Sequence, residues 1–129
     1  MILAIRTDKP EAELHLVDTT GAEAASFIWE AHRSLATTLL TTILQFLSQH
    51  GVKPKELEGL IVFTGSGSFT GLRIGATVMN ALAYSHGLPI AVGEKDEWIK
   101  SGLQNLKTAQ PGNYVIPTYD REPNITKPR

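Results

Sequence analysis

The chain has 129 residues, 42% hydrophobic and 19% charged, with 12 lysines and arginines against 13 aspartates and glutamates. That length holds one domain with one core, and the even charge balance leaves no overall basic footprint for gripping nucleic acid. With no cysteine, disulfides, thiolate metal sites and cysteine nucleophiles are excluded. No leader pattern opens the chain and no apolar run is long enough to span a bilayer, so a cytoplasmic protein without membrane contact is expected.

Residues 3–6 form a short apolar run ended by the turn Thr7-Asp8-Lys9-Pro10. Residues 13–18 partly alternate, with Leu14 and Leu16 set against His15, and Asp18-Thr19-Thr20-Gly21 makes a second turn. With residues 24–29 these runs predict a three-stranded antiparallel meander. From Arg33 the period becomes helical: Ser34 is placed as the N-cap of a helix to about Gln49, with Gly51 as its stop. Residues 60–64 read as a fully apolar strand, about 70–85 as a second helix ended by His86-Gly87, and 88–92 as a last buried strand. Strands alternating with helices after a meander predict a mixed five-stranded α/β sheet with parallel later strands, matching one lobe of the ribonuclease-H-like and actin-like ATPase group. A lobe over residues 1–93 is expected, followed at 94–129 by a linker and arm that do not form a second domain. Within that stretch, residues 98–106 suit a short helix, and 114–129 carry Pro117, Pro123 and Pro128, as an extended arm would.

The two predicted helices are nearly bare of ionised groups. On the first, Leu35, Leu39, Ile43 and Phe46 fall in one column, with Ala36, Leu40, Leu44 and Leu47 beside it. Together they span about half the circumference, more than the roughly 100° stripe that packing on a sheet requires. Thr37, Thr38, Thr41, Thr42, Gln45 and Ser48 fill the rest, and no acid, lysine or arginine occurs from Ser34 to Val52. The same holds from Ile74 to Gly93, where Thr77, Asn80, Tyr84, Ser85 and His86 supply the polarity. Interface cores are depleted in charge, so both helices are expected to meet another chain, at Leu35, Thr38, Leu39, Thr42, Ile43 and Phe46 on the first and Thr77, Asn80 and Tyr84 on the second. Thr and Ser sufficing for solubility in a small domain is the alternative.

Between strand and second helix lies TGSGSFTGLRIG, residues 64–75. A glycine-rich strand-to-helix turn either holds phosphate or makes a tight corner. The Walker pattern fails, because Leu72-Arg73 follows Gly71 where Lys-Ser/Thr is needed, and the dinucleotide spacing fails as Gly65-x-Gly67-x-x-x-Gly71 is one residue too long. A bare anion site from Gly65, Gly67, Ser68, Phe69, Thr70 and Gly71 with Arg73 stays open. Gly71 and Gly75, four apart, leave one helix face without side chains, at roughly 1 kcal/mol of propensity each; close backbone approach would offset this. Ser66 and Ser68 lack a base partner, the first strand carries Arg6 where metal-dependent nuclease chemistry needs an acid, and His15, His32, His50 and His86 read as surface or helix-end residues. No catalytic, cofactor or metal residue is assigned.

Residues 65–75 resemble the signature Gly-Pro-Gly-Ser-Phe-Thr-Gly-Leu/Val-Arg-Ile-Gly of the TsaB (YeaZ) family, with Ser66 in place of the proline. The opening Ile2-Leu3-Ala4-Ile5, His32, the segment Gly87-Leu88-Pro89-Ile90 and the tail Pro117-Thr118-Tyr119-Asp120-Arg121 are similar to the family as well. Arg6 departs from the family's usual aspartate, which weakens an ATPase reading, and most of the usual second lobe is absent. The resemblance implies an inert subunit without cofactor that helps modify tRNA to threonylcarbamoyladenosine, its helices packed on a TsaD-like transferase joined by a TsaE-like ATPase. It would meet tRNA only through that complex. The rival is a free-standing nucleotide- or phosphate-binding enzyme using residues 65–75; a homodimer through the same helices is compatible with the first reading.

Overall fold

In the computed structural model, residues 1–66 and 69–116 are described, His32 by its backbone alone. Gly67 and Ser68 of the glycine loop and residues 117–129 lie outside this set. Strands β1 (Ile2–Arg6), β2 (Glu11–Val17) and β3 (Glu23–Glu30) form the meander; then come α1 (Leu35–Gln49), β4 (Gly59–Thr64), α2 (Phe69–His86), β5 (Ile90–Glu94) and α3 (Trp98–Leu106). The sheet order is β3-β2-β1-β4-β5. β1 is antiparallel to β2 (Leu3 opposite Leu16) and parallel to β4 (Leu3 opposite Leu60); β4 is parallel to β5. This is the mixed five-stranded α/β sheet that the apolar periods predict.

β1 sits at the centre because both of its faces are apolar. Leu3 and Ile5 point into the larger core beneath α1 and α2, while Ile2 and Ala4 point into a smaller one with Ile61, Phe63 and Trp98 beneath α3. Alternate residues of a strand face opposite sides, so one pentapeptide contributes to both cores. Asp18 closes the β2–β3 turn by accepting from the Thr20 amide (2.8 Å), the Thr20 hydroxyl (2.6 Å) and the Ala22 amide (3.0 Å). These bonds, that of the Thr20 hydroxyl foremost, hold its carboxyl below the usual aspartate value.

Two predicted boundaries move for identifiable reasons. Ser34 is no side-chain cap: a 3-10 turn at His32–Ser34 precedes α1, and the Ser34 hydroxyl donates back to the Ala31 carbonyl at 2.7 Å. β5 starts at Ile90 rather than at Leu88, because Gly87 turns into the left-handed region (φ 65) and the Leu88 amide bonds the Ala83 carbonyl, closing α2. No helix among the described residues is long and apolar enough to cross a membrane.

Candidate partner-docking face

α1 lies on the sheet with Leu35, Leu39, Ile43, Phe46 and Leu47 inward. Leu39 and Ile43 have no exposed surface at all. This corrects four residues assigned to the partner: Leu35, Leu39, Ile43 and Phe46 build the chain's own core and support the outer surface from beneath. The surplus of the wide apolar arc is what faces outward, with Leu40 at 48% and Leu44 at 42% exposure, beside exposed Ala36, Thr37 and Thr41. An arc too wide for one sheet was the sequence signal for these two leucines, since its outer flank had to be left over.

Thr38 and Thr42 are half-buried, and the Thr38 hydroxyl donates to the Ser34 carbonyl at 2.8 Å. On α2, Thr77 is exposed and Tyr84 is 86% exposed. Asn80 is spoken for within the chain: its Nδ2 donates to the Val115 carbonyl (2.9 Å) and its Oδ1 accepts from the Val115 amide (2.8 Å). Nothing local in the sequence announces that clamp, because its partners lie 35 residues apart.

Phe69, half exposed, opens α2, and the Arg73 guanidinium sits 5.7 Å above its ring. With Ile74, Thr77, Val78 and, from α1, Ala36, they line a groove of about 330 Å³. The face is thus an exposed apolar surface across two helices, with Arg73 its only formal charge within α1 and α2.

The glycine corner sets this face. Gly71 is buried and its carbonyl accepts the Thr7 hydroxyl at 2.8 Å; a Cβ on Gly75 would run into the same hydroxyl. The bare face of Gly71 and Gly75 therefore exists to let α2 approach the end of β1. Arg73 does not join the corner's inner side. There, a separate cleft of about 320 Å³ is lined by Thr7, Lys9, Arg33, Thr70 and Gly71 among others, at the carboxyl end of β1.

Nearby, Arg6 closes the sheet's carboxyl edge toward α3. Its Nε donates to the Asp8 carboxylate at 2.8 Å, and its guanidinium lies 3.9 Å over the Phe63 ring. Phe63 in turn meets Trp98 edge-on, with ring centroids 5.8 Å apart. Asp8 is buried, though the sequence puts it in a turn. His15, expected at the surface, is 14% exposed, because α3 covers the β2 face opposite Leu14 and Leu16. Its Nε2 stands 3.0 Å from Glu13 and its Nδ1 2.7 Å from Glu23. Burial pushes the Glu13 carboxyl up, but hydrogen bonds from His15 and Lys9 outweigh it, leaving the group below the usual glutamate value. No group of three or more His, Cys, Asp or Glu among the described residues is arranged to hold a metal.

An α/β lobe with an antiparallel meander, two helices stacked on one face and an apolar, charge-poor outer surface is a single lobe of the ribonuclease-H-like and actin-like fold. The family described as TsaD: tRNA N6-adenosine threonylcarbamoyltransferase matches residues 29–119. The tRNA threonylcarbamoyladenosine biosynthesis protein TsaB of Bacillus subtilis is 33% identical over 92 residues, which cover 70% of this chain and 39% of the relative. The solved structure of YeaZ from Pseudomonas aeruginosa superposes with a TM-score of 0.65 at 26% identity, over 72% of this chain and 43% of that one. RuvC from T. thermophilus, solved with a Holliday junction, shares the fold alone: TM-score 0.54 and 10% identity over 85% of this chain and 98% of that one. The chain belongs to the TsaD family and is a TsaB/YeaZ-like protein within it. It spans well under half the length of the TsaB and YeaZ relatives it matches.

Proposed function

We propose that this chain is a non-catalytic subunit in the making of threonylcarbamoyladenosine on tRNA, docking through α1 and α2 on a TsaD-like transferase. The observation that carries this is the outer helical face, where Leu40, Leu44, Phe69 and Tyr84 are all more than two-fifths exposed while α1 has no ionised side chain. Exposed apolar surface without charge is what a buried interface core requires and what a solvated face avoids. The names carried by its relatives supply the pathway and the partner class.

The inert reading draws support from the sheet's carboxyl edge, the usual ligand position in α/β sheets, which here holds the Arg6–Asp8 pair stacked on Phe63. Residues 94–116 belong with the lobe, a reading supported by α3, which packs on β4 and β5; the rest of the expected arm lies outside the described residues. A TsaE-like ATPase completes the complex, and tRNA is met through it.

Co-expression with the TsaD-like protein of the same organism, followed by size-exclusion chromatography with light scattering, tests this: a co-eluting heterodimer is expected. Separate elution of two folded proteins overturns the docking assignment, and a dimer of this chain alone replaces the partner with a second copy. The cleft that brings Lys9 and Arg33 beside Thr70 favours a second reading, a phosphate- or nucleotide-binding enzyme. Calorimetry with ATP and magnesium on the isolated chain separates the two, since tight binding belongs only to the second.

A further inference from the structure

We propose that the free edge of β3 takes up an extended segment of another protein as a sixth strand of the sheet, an apolar stretch ended by a lysine or arginine that sits beside Glu30. None of the residues involved belongs to the helical docking face, and no transferase is required.

In the sheet order β3-β2-β1-β4-β5, β3 is outermost, and its eight residues make it the longest strand among the described residues. Its inner edge bonds β2; among the described residues no other segment hydrogen-bonds its outer edge. In an antiparallel ladder every second residue turns its amide and carbonyl away from the partner, so that edge is a row of open donors and acceptors. Proteins usually blunt such an edge with lysine, proline, a bulge or a covering loop. Here the register shift lies at the Glu23 end, and residues 25–30 pair regularly with β2 and contain neither lysine nor proline.

Both faces of this edge are apolar and open. Phe27, across from Leu14 of the larger core, is 45% exposed, and its ring stacks on that of Trp29 with centroids 5.7 Å apart and planes at 18°. On the opposite face Ile28 is 57% exposed. Aromatic and β-branched side chains of an added strand pack well against such neighbours. The acidic end selects the occupant. Glu30 lies directly across from Glu11, both are exposed, and neither makes an ion pair among the described residues. Like charges directly opposite repel, and a cation on the next strand relieves that repulsion while its neighbours cover Phe27 and Ile28. A second copy of this chain brings the wrong charge. In a two-fold antiparallel pair centred on Phe27, Glu30 of each copy faces Ala24, beside Glu23 of the other. Strand addition of this kind draws affinity from main-chain bonds and specificity from the alternate side chains.

The probe is the peptide Arg-Val-Ile-Val-Thr-Val-Thr-Lys, with a second version carrying glutamate at both ends, each added to the full chain and read by amide hydrogen exchange. The cationic peptide is expected to slow exchange several-fold across residues 25–30 and not at β5, the opposite edge of the sheet. The glutamate version should need a several-fold higher concentration for the same effect. Glu11→Lys with Glu30→Lys should reverse that preference, in a variant whose circular dichroism matches the parent. No slowing at β3, equal slowing by the two peptides, slowing that spreads equally to β5, or an unchanged preference in the folded lysine variant would each overturn the assignment. So would a dimer of the chain, seen by light scattering without peptide, whose formation protects residues 25–30, since it gives the edge to a second copy.

Discussion

The Thr7 hydroxyl occupies the space that a side chain on Gly75 would need, and donates its hydrogen to the Gly71 carbonyl one turn earlier. One threonine at the end of β1 thus uses both glycines of the helix: one for its carbonyl, the other for its missing Cβ. The seating of α2, and with it the whole outer face, depends on this fit.

Gly75→Ala is therefore expected to destabilise the fold by roughly 1–3 kcal/mol, although alanine is the better helix former. Thr7→Ala removes the obstruction together with its hydrogen bond. The double variant should lose less than the sum of the single ones in urea melts. Strict additivity would mean that the two positions do not share a contact.

The docking face separates neighbouring leucines. Leu39→Glu buries a charge in the core and should unfold the chain, with a loss above about 4 kcal/mol. Leu40→Glu with Leu44→Glu, on exposed positions, should stay within about 0.5 kcal/mol of the parent per site. The same pair of changes should abolish co-elution with the transferase. Retained co-elution by a folded Leu40→Glu/Leu44→Glu variant moves the interface elsewhere.

Arg6 and Asp8 act as a pair. Arg6→Leu leaves a buried carboxylate without its cation and strips the guanidinium from Phe63, for a loss on the order of 1–3 kcal/mol. Adding Asp8→Asn should recover part of that loss. Thermal melts of the three variants at neutral pH read the coupling directly; no recovery would mean that the stacking on Phe63 carries the effect instead.

Glu13 sets an acid limb of stability. Its folded value lies below the ordinary 4.5, so the unfolded chain binds more protons across that interval and stability rises with pH there. The contribution is present above about pH 4.5 and fades as pH falls through the folded value. Glu13→Gln should melt below the parent at pH 7 and converge with it toward pH 3. A gap that persists unchanged at pH 3 would assign the loss to packing, not ionisation.

Local information carried much of this. The alternation of Leu14 and Leu16 against His15, the apolar run at β4 and the helical period after Arg33 marked every strand and the two long helices to within a few residues, since each reports a side-chain period that burial enforces. Chain-local chemistry also foretold a charge-poor helical pair and a close approach at Gly71 and Gly75. What needed the tertiary structure was which side of α1 met the sheet: an apolar arc this wide has two acceptable orientations, and only the position of α2 beside Ala36 left Leu40 and Leu44 outside and Leu39 and Ile43 within. His15 became largely covered because α3 arrives from elsewhere in the chain, and Asn80 found Val115 across 35 residues. Periods are local properties of a sequence, whereas contacts between distant segments are fixed only when the sheet order brings their elements together.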